Sequence, residues 1–198
     1  MSLINQSYFV GDIALPNLDE VSNSFQDTMD RYEEEILKSL LGYQLYKAFI
    51  AGIGEVTPDQ KWIDLRDGGV EFTFDFCGET ITQEWNGLIN SDLVSLISYH
   101  VYYKYRYENL STTTSINDVM GIAENATKVN DTRKMVYAWN RVLSLYGEIP
   151  IFSGFTKYSD TYEYFTDEPS CFNFINANRA DYDNWVFTPL LRLNEFGI

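Results

Sequence analysis

Apolar residues recur at spacings of three and four over much of the chain, which predicts a mainly α protein. The densest stretch is Ser91 to Asn109. There Leu93, Leu96, Ile97, His100, Val101 and Lys104 share one helical face, while Tyr99, Tyr102, Tyr103 and Tyr105 widen the apolar sector. A helix apolar on most sides belongs at the centre of a fold. Asn90 or Ser91 suits its N-cap, and the whole stretch as helix would reach about 28 Å.

The flanking segments fall in order around it. Ile4, Tyr8, Phe9, Val10, Ile13 and Leu15, interrupted by Gly11 and Pro16, read as an extended arm that packs. Asn17 is placed to cap a first helix to about Leu40, with Leu18, Val21, Phe25, Met29, Tyr32, Ile36 and Leu40 inward. Its other side carries Asp19, Glu20, Asp27, Asp30, Glu33, Glu34 and Glu35, a run expected to be a solvated face. Gly42 reorients the chain into a shorter helix with Leu45, Tyr46, Phe49 and Ile50 on one side, and a further turn surrounds Trp62. The period then switches to two: Phe72, Phe74 and Phe76 alternate with Glu71, Thr73 and Asp75, and Thr80 to Thr82 return after a turn, which predicts a β-hairpin near 70–82. Trp85 leads from it into the central helix. Residues 110–128 read as a polar loop, and a last helix runs from about Asn130 to Tyr146 with Met135, Val136, Trp139, Val142 and Leu143 on one face.

The fold class that follows is a helical bundle of about three to four long helices with one small β-hairpin and an irregular, aromatic-rich C-terminal arm. Residues 1–150 form the helical domain and 151–198 the arm. Segments this aromatic are ordered against something, either their own helices or a neighbouring subunit. Phe72, Phe74 and Phe76 of the hairpin and Trp185, Phe187 and Phe196 of the arm are therefore the candidate interface residues. Two isolated strands are marginal in water, so the hairpin must lie on the helices or meet another chain.

Composition sharpens the functional reading. The 198 residues hold 14 Lys and Arg against 29 Asp and Glu, a formal charge of −15. Such a balance opposes specific nucleic-acid binding, which rests on cations neutralising phosphates, and is compatible with a surface past which DNA slides. No apolar run is long enough for a membrane span, and the N-terminus lacks the pattern of a signal peptide. The two cysteines, Cys77 and Cys171, form no metal pattern and are expected to be reduced. His100, the single histidine, sits among tyrosines on an apolar face and reads as a satisfied core residue. No catalytic, cofactor-binding or metal motif stands out, and an enzyme is the least favoured reading.

Several stretches resemble a known group. ILKSLLGYQLYKAFI, the Trp62 segment, the hairpin, Trp85-Asn86-Gly87-Leu88 before SLISYHVYYKYRYE, GIAENATKVN and the closing NWVFTPLLRLNEFGI are similar to a family of uncharacterised structural proteins of phages and prophages of gut Bacteroidetes. The helical part resembles, more loosely, the head–tail connector (adaptor) proteins of long-tailed phages. That likeness implies a homo-oligomeric ring docked on the portal or tail proteins, a passive DNA channel, and residence in the host cytoplasm during assembly and then in the virion. It implies no catalytic residue. The long C-terminal arm departs from the compact connectors, and another phage assembly or tail-completion role is the alternative.

Overall fold

A computed structural model of the chain describes residues 2–15, 23–76, 79–90, 92–109, 112–113, 118–119, 131–147 and 169–190. The fold is mainly α. Helix α1 (Asn23–Ile53) is followed by α2 (Gln60–Asp67), the antiparallel strands β1 (Val70–Phe76) and β2 (Glu79–Trp85), helix α3 (Leu96–Asn109), the short strands β3 (Thr112–Thr113) and β4 (Asp118–Val119), helix α4 (Asp131–Tyr146) and helix α5 (Cys171–Ala177).

The core is continuous. Phe25, Met29, Ile36, Leu40 and Leu41 of α1 meet Leu96, Ile97, Val101 and Tyr102 of α3, and Ala138, Val142 and Tyr146 close it from α4. Helices α3 and α4 are antiparallel: Leu96 and Leu145 line one cavity with Trp85, while Tyr103 packs on Trp139 at 4.9 Å. Their other ends, at Tyr107 and Arg133, therefore lie together. Helix α1 is likewise antiparallel to α3, since Arg31 pairs with Glu108 and Glu35 with Lys104.

Helix α1 turns at Gly42, whose φ of 72° and ψ of 155° lie in a region open essentially only to glycine. The predicted reorientation at this residue is thus a kink between two packed helices. Asn17, the expected cap, lies outside the described residues. The N-terminal segment packs as expected, with Ile4, Tyr8, Phe9, Ile13 and Leu15 buried, but it is not extended. It folds into two 3₁₀ turns, Gln6–Tyr8 and Gly11–Ile13, the first capped by the Asn5 side chain on Ser7 N–H.

Three boundaries differ from the sequence pattern. The central helix starts at Leu96, not Ser91, because Leu93 takes a positive φ of 59° and Asn90 Oδ1 spends its bond on Val94 N–H in a separate turn. Ser95 then caps α3 by accepting from Ile97 N–H. Strand β2 runs on to Trp85, so Trp85 closes the hairpin instead of opening the helix. The segment expected to be irregular after 150 contains α5, which Ser170 caps on Asn173 N–H; seven residues are too few for a helical period to register. In the 110–128 loop, Thr112–Thr113 pair with Asp118–Val119, and the rest lies outside the described residues.

Candidate functional site

Three features could carry function: the hairpin, the aromatic segment 169–190 and a polar cluster between α1 and α3. The hairpin register sets Val70, Phe72, Phe74 and Phe76 opposite Trp85, Gln83, Ile81 and Glu79 on one face, and Glu71, Thr73 and Asp75 opposite Glu84, Thr82 and Thr80 on the other. Only the root of the first face is sealed. Phe72 is buried against Phe174 at 5.6 Å, and Trp85 stacks on Phe174 at 5.4 Å while its Nε1–H donates to the Leu65 carbonyl. Phe74 and Ile81 toward the tip are half-buried, and the side chain of Phe76 lies outside the described residues. The second face is exposed along its length. The hairpin is therefore a protrusion with a fixed base.

Residues 169–190 pack on their own chain. Trp185 is buried at the α1 kink: its Nε1–H donates to the Leu40 carbonyl at 2.8 Å, and Gly42 faces Val186. Phe187, half-buried, packs between Tyr146 and Phe172. Tyr182 reaches the Lys61 carbonyl, and Arg179 lies over the Trp185 ring while donating to its carbonyl. Trp185 and Phe187 thus cover α1 and α4 of their own chain, and Phe196 lies outside the described residues. Cys171, inside this segment, is a free thiol that burial pushes far above its ordinary range.

The polar cluster gave no signal in the sequence beyond its residue types. Tyr32 donates to Glu108, which also pairs with Arg31; burial first and Glu108 second raise the Tyr32 hydroxyl to about 12. One turn on, the Glu35 carboxylate meets Lys104 Nζ at 2.7 Å and faces His100 Nε2 at 3.6 Å, too long for a hydrogen bond. His100 and Lys104 together hold the Glu35 carboxyl down to about 2, against partial burial. His100 is 3% exposed, and among the described residues neither ring nitrogen has a hydrogen-bond partner. His100 is thus a core residue, as expected, with Glu35 as its polar neighbour at 3.6 Å. Tyr32 and Trp139 wall the ring in, and burial lowers its pKa against the pull of Glu35, leaving a neutral imidazole beside a carboxylate.

The solvated face expected of the α1 carboxylates holds for Asp27, Asp30, Glu34 and Glu35 but not for Glu33, while Asp19 and Glu20 lie outside the described residues. Glu33 is buried and accepts from Ser2 Oγ, Leu3 N–H and Ile4 N–H, stapling the N-terminal segment to α1. Burial raises its pKa although these bonds favour the anion.

Among the described residues, no helix is long and apolar enough to cross a membrane and no group of His, Cys, Asp or Glu could hold a metal ion. A cavity of 180 Å³ at the hairpin root lies between Trp85, Leu96, Leu145 and Pro169, with Asn90 and Asp92 also in its wall. No protein-family model, no curated protein and no solved structure matches the chain.

Proposed function

We propose that this chain is a structural protein of a phage or prophage virion, a neck adaptor that works by assembling with its own copies on the portal. The observation that carries the reading is the hairpin: a two-stranded sheet with no further strand on either edge among the described residues and one face wholly exposed, anchored by Trp85 and Phe72 in the core. The hairpin root packs on Phe174 of its own chain, and that fixed base lets the exposed face meet a partner without first being ordered. Helices α1, α3 and α4 serve as the connector-like bundle that presents it. The charge of −15 suits a wall past which DNA moves without adhering. On this reading the protein assembles in the host cytoplasm and remains in the virion.

The test is the mass of the purified chain by light scattering, alone and mixed with a phage portal protein. A ring or a stoichiometric complex with the portal is expected. A monomer indifferent to the portal refutes the adaptor reading.

A further inference from the structure

The outer hairpin face has an electrostatic peculiarity. Glu71 and Glu84 stand directly opposite each other across the strands, with Asp75 farther along the same face. Like charges opposed in a ladder destabilise it, and residues 70–85 contain no Lys or Arg to offset them. Among the described residues Glu71 and Glu84 make no ion pair. The remaining side chains of that face are threonines, Thr73, Thr80 and Thr82, all exposed. The face is polar and anionic.

The complementary surface lies at the far end of the helix pair. The hairpin root sits by Leu96 and Leu145, where α3 begins and α4 ends. At the opposite end the first turn of α4, which begins at Asp131, carries Arg133 and Lys134, both exposed and in no ion pair among the described residues. One turn on, Tyr137 is 47% exposed on the same side. Its hydroxyl donates to Asp12, the anion that borders this patch. In a chain with twice as many acidic as basic residues, two adjacent exposed cations beside an exposed aromatic ring are the uncommon feature.

We infer that the outer face of the β1–β2 hairpin of one copy docks on the Arg133–Lys134–Tyr137 surface of α4 in a second copy. The inference rests on the assembly reading above and names its contact. Two hairpins cannot use this face on each other, because Glu71 and Glu84 of both would be brought together. A cationic helix face relieves the repulsion inside each hairpin. Because the two patches lie at opposite ends of the α3–α4 pair, the contact is heterologous: each copy offers a hairpin at one end and accepts one at the other. Such contacts propagate head to tail and close into a ring when the rotation permits.

Two charge-reversed full-length chains test this, Glu71→Lys/Glu84→Lys on the hairpin and Arg133→Glu/Lys134→Glu on α4. All four positions are exposed, so the fold is expected to persist, and far-UV circular dichroism of each chain verifies it. Each variant alone is expected to self-associate at least about tenfold more weakly than wild type in light scattering and sedimentation, since attraction at the contact becomes repulsion. An equimolar mixture of the two is expected to regain association, because each then meets an opposite charge. Wild-type association is expected to fall in 1 M salt, where screening shortens to roughly 3 Å. If the wild type oligomerises and neither reversal weakens it, the contact is overturned while the adaptor reading stands. If the hairpin reversal weakens portal binding but leaves self-association intact, the occupant is the portal and the copy-to-copy contact is overturned. A wild type that stays monomeric with and without portal overturns both.

Discussion

The seat of Trp185 in the α1 kink is where the structure is most open to refutation. At Gly42 the helix leaves its ladder, and carbonyls of the turn before it lose the amides that a continuous helix supplies. The Trp185 indole N–H reaches the Leu40 carbonyl from a position 145 residues away, and the ring is buried with Phe172 at 5.4 Å and Phe187 at 5.7 Å. Trp185→Phe keeps most of the apolar contact but removes the donor. A buried carbonyl left without a partner costs about 1–3 kcal/mol, and the smaller ring adds about 1 kcal/mol of lost packing. A loss of about 2–4 kcal/mol lowers Tm by roughly 4–16 °C in a chain of this size. Thermal and urea unfolding of the full chain, followed by far-UV circular dichroism, measures it. Val186→Ala, at an exposed neighbour, is the control and should change stability by less than about 0.5 kcal/mol. Gly42→Ala strains the backbone and brings a methyl to 3.0 Å from the Val186 carbonyl oxygen, so it loosens the same seat. Combined with Trp185→Phe, its effect should therefore fall short of additive. A Trp185→Phe chain as stable as wild type would show that residues 169–190 are not held in this notch.

Deleting 169–198 removes Cys171, Phe174, Ile175, Tyr182 and Trp185 from the core, so the remainder should lose its cooperative thermal transition; a truncated chain with a sharp transition refutes this. Glu33→Ala leaves the Leu3 and Ile4 amides without an acceptor and should cost about 2–3 kcal/mol, with proteolysis near the N-terminus accelerated before global unfolding. Acid should act on the α1–α3 contact in two steps. His100 has its folded pKa below the unfolded value near 6.5, so the unfolded chain binds the extra proton and stability falls as pH drops through that value; Glu35, held near 2 against an ordinary 4.5, loses its contribution between those two values. His100→Phe should abolish the upper step in urea midpoints measured from pH 7 to 5. At pH 7 it should raise stability by about 1 kcal/mol, because a buried ring without a hydrogen bond among the described residues is replaced by an apolar one. A clear loss of stability at pH 7 would show that the imidazole is satisfied.

The legible parts of this fold are those where one residue type does one job over several turns. The inward stripe of α1, the alternation Phe72, Phe74, Phe76 and the face of α4 each repeat a period that solvent exclusion alone enforces, and they appear where the pattern puts them. The start of α3 was not legible, because Ser91, Leu93 and Ser95 all suit the first turn of a helix. The choice among them falls to a positive φ at Leu93 and to the pull of Leu88, whose carbonyl takes the Ser95 hydroxyl. The same limit governs the candidate site. Glu33, Glu34 and Glu35 are one carboxylate run in sequence, yet one is buried under the N-terminal segment, one pairs with Lys38 four residues on, and one faces His100 and Lys104. A helix turns about 100° per residue, so three neighbouring carboxylates point in three directions, and only the packing partner assigns each its chemistry. By contrast, the opposed pair Glu71 and Glu84 follows from the hairpin register alone once the turn is placed. The anionic hairpin face is therefore a candidate surface whose charge can be derived from the strand pattern, while its proposed partner on α4 emerges only when the antiparallel helices set Arg133 at the opposite end from Trp85.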